Sequence, residues 1–98
     1  MSYRDIVAAD LRLVILQALE EDPDYSHNDA VLQRMLDAVG HSVSTDRLRT
    51  ELAWLAEQGL ILINEIEDLV VSKLTARGED VALGRTRVPG VARPRPEV

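Results

Sequence analysis

The sequence predicts a mainly α-helical domain with one small β-hairpin, and three observations carry that prediction. Tyr3 to Glu20 contains neither Gly nor Pro and is rich in Ala and Leu, the composition of a long helix. Two further apolar-periodic stretches each begin after small polar residues and end at a glycine, Gly40 and Gly59. Leu60 to Ile66 and Leu69 to Leu74 are dominated by Ile, Val and Leu and are separated by the polar pair Glu67-Asp68, which reads as two strands and their turn. At 98 residues the chain has room for one domain, and 46% hydrophobic with 29% charged residues suits a globular core.

The first helix is expected to stop near Asp22-Pro23. Its apolar residues make two faces. Val7, Leu11, Val14, Ile15 and Ala18 share one, while Ile6, Ala9, Leu13 and Leu16 form a second seam at helical spacing. That seam is either the interface of a homodimer or the far side of a central helix covered twice by its own domain. Asp22-Pro23-Asp24 is a turn, and Ser26 with Asp29 suggests the cap of a second helix from about His27 to Val39, with Val31, Leu32, Met35, Leu36 and Val39 inward. Ser44 caps a third helix, Thr45 to Gln58, whose inner face is Leu48, Leu52 and Leu55. Thr75 caps a short last helix, Ala76 to Leu83, which Gly84 terminates.

Helix, helix, helix, hairpin, helix is the order of a winged helix-turn-helix, in which the third helix lies in a DNA groove and the hairpin is the wing. Residues 1–84 make up this domain. Residues 85–98, with four arginines and three prolines, form a basic arm or tail without periodicity. Met1 to Leu83 carries seven Lys and Arg against sixteen Asp and Glu, a net −9, whereas the tail carries a net +3. An acidic body thus bears a basic arm, which is expected to lie along DNA, to lie across a dimer partner, or to remain a solvated terminus.

The string Val43 to Ile61, followed by Leu74-Thr75-Ala76-Arg77-Gly78, resembles the recognition-helix, wing and post-wing pattern of ArsR-like winged-helix regulators. Tyr3-Arg4-Asp5, Asp10-Leu11-Arg12-Leu13 and Arg87-Val88-Pro89-Gly90-Val91 resemble, more closely, small ArsR-like proteins encoded by Mu-like phages and prophages. The resemblance implies a winged-helix fold and transcription regulation. Metal-sensing relatives use cysteines before the recognition helix, or carboxylates and histidines near the last helix. This chain has no Cys and offers only Glu79 and Asp80 in its last helix, so metal sensing does not carry over.

On this reading the partner is double-stranded DNA, and Thr45, Arg47, Arg49 and Thr50 are the contacts of the third helix, with Arg85 and Arg87 of the tail beside them. Arginine donates two hydrogen bonds to guanine, and a helix N-terminus favours phosphate. The charge balance pulls the other way. From Ser44 to Leu74 there are three basic residues against six acidic ones, and Glu65, Glu67 and Asp68 flank the wing turn where many winged helices are basic. Such a surface releases few counterions on DNA. A protein partner read by an acidic wing is therefore the alternative, with Trp54 as either minor core or an interface anchor.

Without cysteine, disulfides, thiolate metal sites and cysteine nucleophiles are excluded. His27 and His41 lack a third convergent ligand, and Glu20-Glu21-Asp22-Asp24 is read as exposed helix-end charge. No phosphate-binding glycine loop or triad spacing is present, so the protein is expected to be a non-enzyme with no metal and no cofactor. The apolar run Leu13 to Leu16 is too short for a signal peptide or a membrane span, which predicts a cytoplasmic protein with no membrane partner.

Overall fold

The computed structural model describes residues 1–96; the final residues of the predicted tail, Glu97 and Val98, lie outside the described residues. The elements run α1 (Tyr3–Glu21), β1 (Ser26–Asn28), α2 (Asp29–Ala38), α3 (Thr45–Glu57), β2 (Ile61–Ile66), β3 (Leu69–Leu74) and α4 (Ala76–Ala82). This is a small α+β domain in which four helices accompany a three-stranded antiparallel sheet of order β1-β3-β2. The expectation of a mainly α domain with a lone hairpin is corrected by β1. Its Ser-His-Asn sequence has no strand propensity of its own and becomes extended by pairing Ser26 with Lys73 and Asn28 with Val71. The carbonyl of Tyr25 also accepts from the Leu74 N–H at 2.8 Å, so β3 is paired on both sides.

Because Ser26 and His27 belong to the sheet, α2 starts later than the sequence suggests. Its cap is Asn28, whose side chain accepts from the Val31 N–H at 2.9 Å, and not Ser26. The other caps follow local chemistry as expected. Ser44 accepts from the Arg47 N–H at 3.0 Å, and Thr75 from the Gly78 N–H at 3.0 Å. At the head of α1, Ser2 and Asp5 each accept from the other's backbone N–H, which closes a reciprocal capping box. The β2–β3 turn is Glu67-Asp68, with Glu67 at φ 55, a left-handed position that glycine or asparagine would occupy more easily.

The core explains the two apolar faces of α1. Leu11, Ile15, Ala18 and Leu19 are buried, and so are Leu13 and Leu16, because α2, α4 and β3 all pack against this helix. Leu32, Leu36, Leu48, Leu52, Leu55, Leu60, Ile61 and Val81 are the other large side chains fully enclosed, with Val70, Leu74, Ala82 and Val88 buried around them, and each fully buried large aliphatic side chain contributes about 1.5–3 kcal/mol. Leu16→Ala is accordingly expected to cost about 2–5 kcal/mol in a urea titration, whereas Ile6→Ala, at an exposed position, should stay within about 0.5 kcal/mol.

The segment after Gly84 lies on the body. Val88 is buried, the Ala92 N–H donates to the Ala9 carbonyl at 3.0 Å, and Gly90 sits against the Trp54 ring. A Cβ at Gly90 would come within 2.9 Å of that ring, and φ there is +96, so glycine is what lets the segment cross Trp54. Among the described residues no helix is long and apolar enough to cross a membrane.

Candidate binding surface

Helix α3 and the β2–β3 hairpin form the surface that the sequence singles out, and two buried carboxylates organise it. Asp29, at the start of α2, is 4% exposed. Its Oδ1 accepts from the Val70 N–H at 3.2 Å, so the carboxylate takes the next place in the β1–β3 ladder after Asn28. Its Oδ2 accepts from Arg49 Nε at 2.8 Å, and Arg49 Nη2 donates to the Asp68 carbonyl at 2.6 Å. Asp29 and Arg49 together staple α2, α3 and the hairpin turn.

Burial alone would push the Asp29 carboxyl up, but the hydrogen bonds from Arg49 and Val70 and the guanidinium charge outweigh it, and the group is held below the ordinary aspartate value. A depressed native value means stability that is fully present above the unfolded-state pKa of about 4 and lost as pH falls through the native value. The urea midpoint of the intact protein should therefore fall on acidification below about pH 4. Asp29→Asn should be less stable at neutral pH and show a shallower acid limb.

Glu51, on α3, is the second such group, also 4% exposed. It accepts from Arg12 Nε at 2.7 Å and from Arg47 Nε at 2.8 Å. Arg12 in turn lies 4.0 Å from the Trp54 ring centroid and donates to the Gly90 carbonyl at 2.9 Å. This chain of contacts ties α1 to α3 and both to the C-terminal segment. Trp54 is thus a half-buried packing residue under that segment.

Each predicted DNA contact on α3 has a partner within the chain. Arg47 is held by Glu51 and Arg49 by Asp29. Thr45 Oγ1 donates to Gln33 Oε1 at 3.3 Å, and Thr50 Oγ1 to the Asp46 carbonyl one turn earlier at 2.9 Å. In the tail, Arg85 reaches Asp80 at 3.4 Å, and Arg87 is exposed with no ion pair among the described residues. The predicted dimer seam is not one open face. Ile6 is 55% exposed, but Ala9 lies under the C-terminal segment, and Leu13 and Leu16 are inside the chain's own core. Covering α1 on both sides is what closes the seam.

What α3 and the hairpin do expose is acidic and apolar. The carboxylates of Asp46, Glu57, Glu65, Glu67 and Asp68 are exposed without an ion-pair partner among the described residues, against one such cation, Lys73. In the β2–β3 register Leu62 faces Lys73, Asn64 faces Val71 and Ile66 faces Leu69, and residues directly opposite share a sheet face. The face opposite the core therefore carries Leu62, Ile66 and Leu69, which are 63%, 51% and 40% exposed, beside half-buried Val71. Three large aliphatic side chains grouped on one solvent-facing ribbon exceed the single scattered residues of an ordinary surface.

The histidines stand apart from this surface. His41 Nε2 lies 2.7 Å from Asp10 Oδ2 and links the α2–α3 connection to α1, and His27 lies 3.8 Å from Asp22. Among the described residues no three His, Cys, Asp or Glu side chains converge as metal ligands. Sequence reasoning missed Arg12, Asp29 and Glu51. The Arg47–Glu51 spacing of four residues was a readable signal, and so was a lone arginine within the apolar run of α1.

No protein-family model matches the chain. It is similar to the uncharacterized protein gp26 of Escherichia phage Mu, with 50% identity over 92 residues that cover 94% of this chain and 95% of that protein. It is also similar to an uncharacterized protein of Haemophilus influenzae, with 40% identity over 78 residues, 79% of this chain and 76% of that protein.

Proposed function

We propose that this chain, which belongs to the family of the phage Mu protein gp26, is a phage or prophage winged-helix module that binds another protein through α3 and the hairpin. The order α1, α2, α3, hairpin, α4 supports the winged-helix reading, with β1 as the short strand that joins the wing to the body. One observation carries the choice of a protein over DNA. The two α3 arginines that would meet phosphate are paired with buried Glu51 and Asp29, while the unpaired charge exposed on α3 and the hairpin among the described residues is five carboxylates against one cation, Lys73, beside the aliphatic Leu62, Ile66 and Leu69. A nucleic acid gains little there from counterion release, whereas an aliphatic patch rimmed by charge is what protein interfaces use. On this reading the protein catalyses nothing and takes no cofactor.

The test is a photo-crosslinking amino acid placed at Ile66, and separately at Tyr3, in cells where the encoding phage or prophage is active. A discrete protein adduct from position 66 and none from position 3 is expected. Adducts to DNA from position 66, or no adduct, would count against the reading.

A second reading keeps double-stranded DNA and transcription regulation in the ArsR-like manner. Its supporting observation is that the Arg47 and Arg49 side chains, though paired, remain 46% and 43% exposed. A homodimer would then present two α3 helices to a pseudo-palindromic site, and its interface would have to use Ile6 and its exposed neighbours, since Leu13 and Leu16 are enclosed.

A further inference from the structure

Strand β2 is the edge of the sheet, bonded to β3 alone. The Thr75 N–H donates to the Leu60 carbonyl at 3.1 Å, and Leu74 and Val70 donate away from β2, to Tyr25 at 2.8 Å and Asp29 at 3.2 Å. The alternation of an antiparallel ladder then fixes which β2 groups are used. Leu62, Asn64 and Ile66 exchange hydrogen bonds with β3, and the backbone N–H and C=O of Ile63 and Glu65 point out from the free edge. Neither residue has another backbone or side-chain partner among the described residues. Natural edges of this kind are usually blunted by Pro, charged side chains, a bulge or a covering loop. Here β2 has no Pro, has Glu65 as its one charged residue, pairs with β3 without a bulge, and carries Leu62, Ile63 and Ile66 exposed beside it, so its edge disfavours a like-charged strand and stays open to a cationic one.

We infer that the free edge of β2 takes an extended, cationic segment of the protein partner as a fourth strand of the sheet, which would then run β1-β3-β2-partner. The inference rests on the protein-binding reading and names the partner's chemistry. Main-chain hydrogen bonds to Ile63 and Glu65 hold the segment, and alternate aliphatic side chains rest on Leu62 and Ile66. Charge decides the occupant. Glu65, Glu67 and Asp68 lie on or just beyond the edge strand and are exposed without ion-pair partners among the described residues, so arginine or lysine on the added strand meets carboxylate. A second β2 from another copy would bring a second set of the same three carboxylates to the joint, which argues against self-pairing.

The experiment titrates the intact, isotope-labelled chain with a short blocked peptide alternating arginine with valine, and with the glutamate-valine counterpart, while amide exchange is followed residue by residue. The expected result is saturable binding of the cationic peptide only, with slowed exchange at the Ile63 and Glu65 amides. Ile63→Pro removes one outward donor without touching the β3 ladder and should abolish that binding. Glu65→Lys with Glu67→Lys, which keeps every backbone donor, should weaken it by roughly tenfold, as loss and reversal of two rim charges implies. Binding with no protection at Ile63 and Glu65, equal binding of both peptides, or no binding of either would overturn the inference. Self-association of the chain that protects the same two amides would overturn the separate partner. If position 66 still crosslinks to a protein in any of these cases, strand addition alone has failed; if it does not, the protein-binding reading has failed with it.

Discussion

Arg49→Ala is expected to destabilise the domain by about 3 kcal/mol, the low end of the cost of breaking a buried ion pair. The low end applies because the Arg49 side chain is 43% exposed while Asp29 is 4% exposed. Removing the guanidinium leaves the Asp29 carboxylate enclosed with only the Val70 N–H for company, and it frees the Asp68 carbonyl at the hairpin turn. A urea titration reads the loss. Amide exchange should show the hairpin loosening ahead of α1 and the core. An Arg49→Ala protein as stable as the parent would mean that the staple is not formed. The result also matters for function, because a loss of binding in such a variant would report a disturbed hairpin as readily as a missing contact.

Gly78→Ala should have the larger effect, more than about 4 kcal/mol, in the range reserved for overpacking and backbone clash. A Cβ at position 78 would overlap the Leu60 carbonyl oxygen and stand 2.7 Å from a Leu74 methyl. The first neighbour is backbone and cannot swing aside. Since the Leu60 carbonyl also accepts from the Thr75 N–H and hydroxyl, any shift of α4 would break the join between the strands and the last helix. Circular dichroism against temperature would show either a strongly lowered midpoint or no cooperative transition. A melt like the parent's would contradict the close approach of α4 to Leu60.

What the sequence made legible was local. Ser44 and Thr75 sit next to the backbone groups they cap, and Glu67-Asp68 is bounded by aliphatic strands, so these elements could be read within a few residues. Strand β1 could not, because Ser26–Asn28 is extended only by its pairing with Val71–Lys73, more than forty residues away. Separation along the chain hid the surface as well. Arg12 reaches Glu51 and Arg49 reaches Asp29 across different helices, and from sequence alone an arginine on an outward helix face looks free for DNA. Val88, a lone aliphatic between arginines and prolines, gave no periodic sign that the C-terminal segment would close over α1 and Trp54. The acidic balance of the hairpin was visible in composition. Its apolar outer face required the strand register that the structure supplies.

Whether α3 and the hairpin meet DNA or a protein is the central question for this molecule. The most direct measurement is fluorescence anisotropy of the intact chain against phage and host promoter fragments, carried through a salt series from low ionic strength. Paired arginines and five exposed carboxylates predict no saturable, fragment-selective binding, and only a weak signal with a shallow salt slope if any arises from the tail arginines. Saturable binding that prefers particular fragments and falls steeply with salt would contradict a protein-binding surface and establish DNA binding in its place.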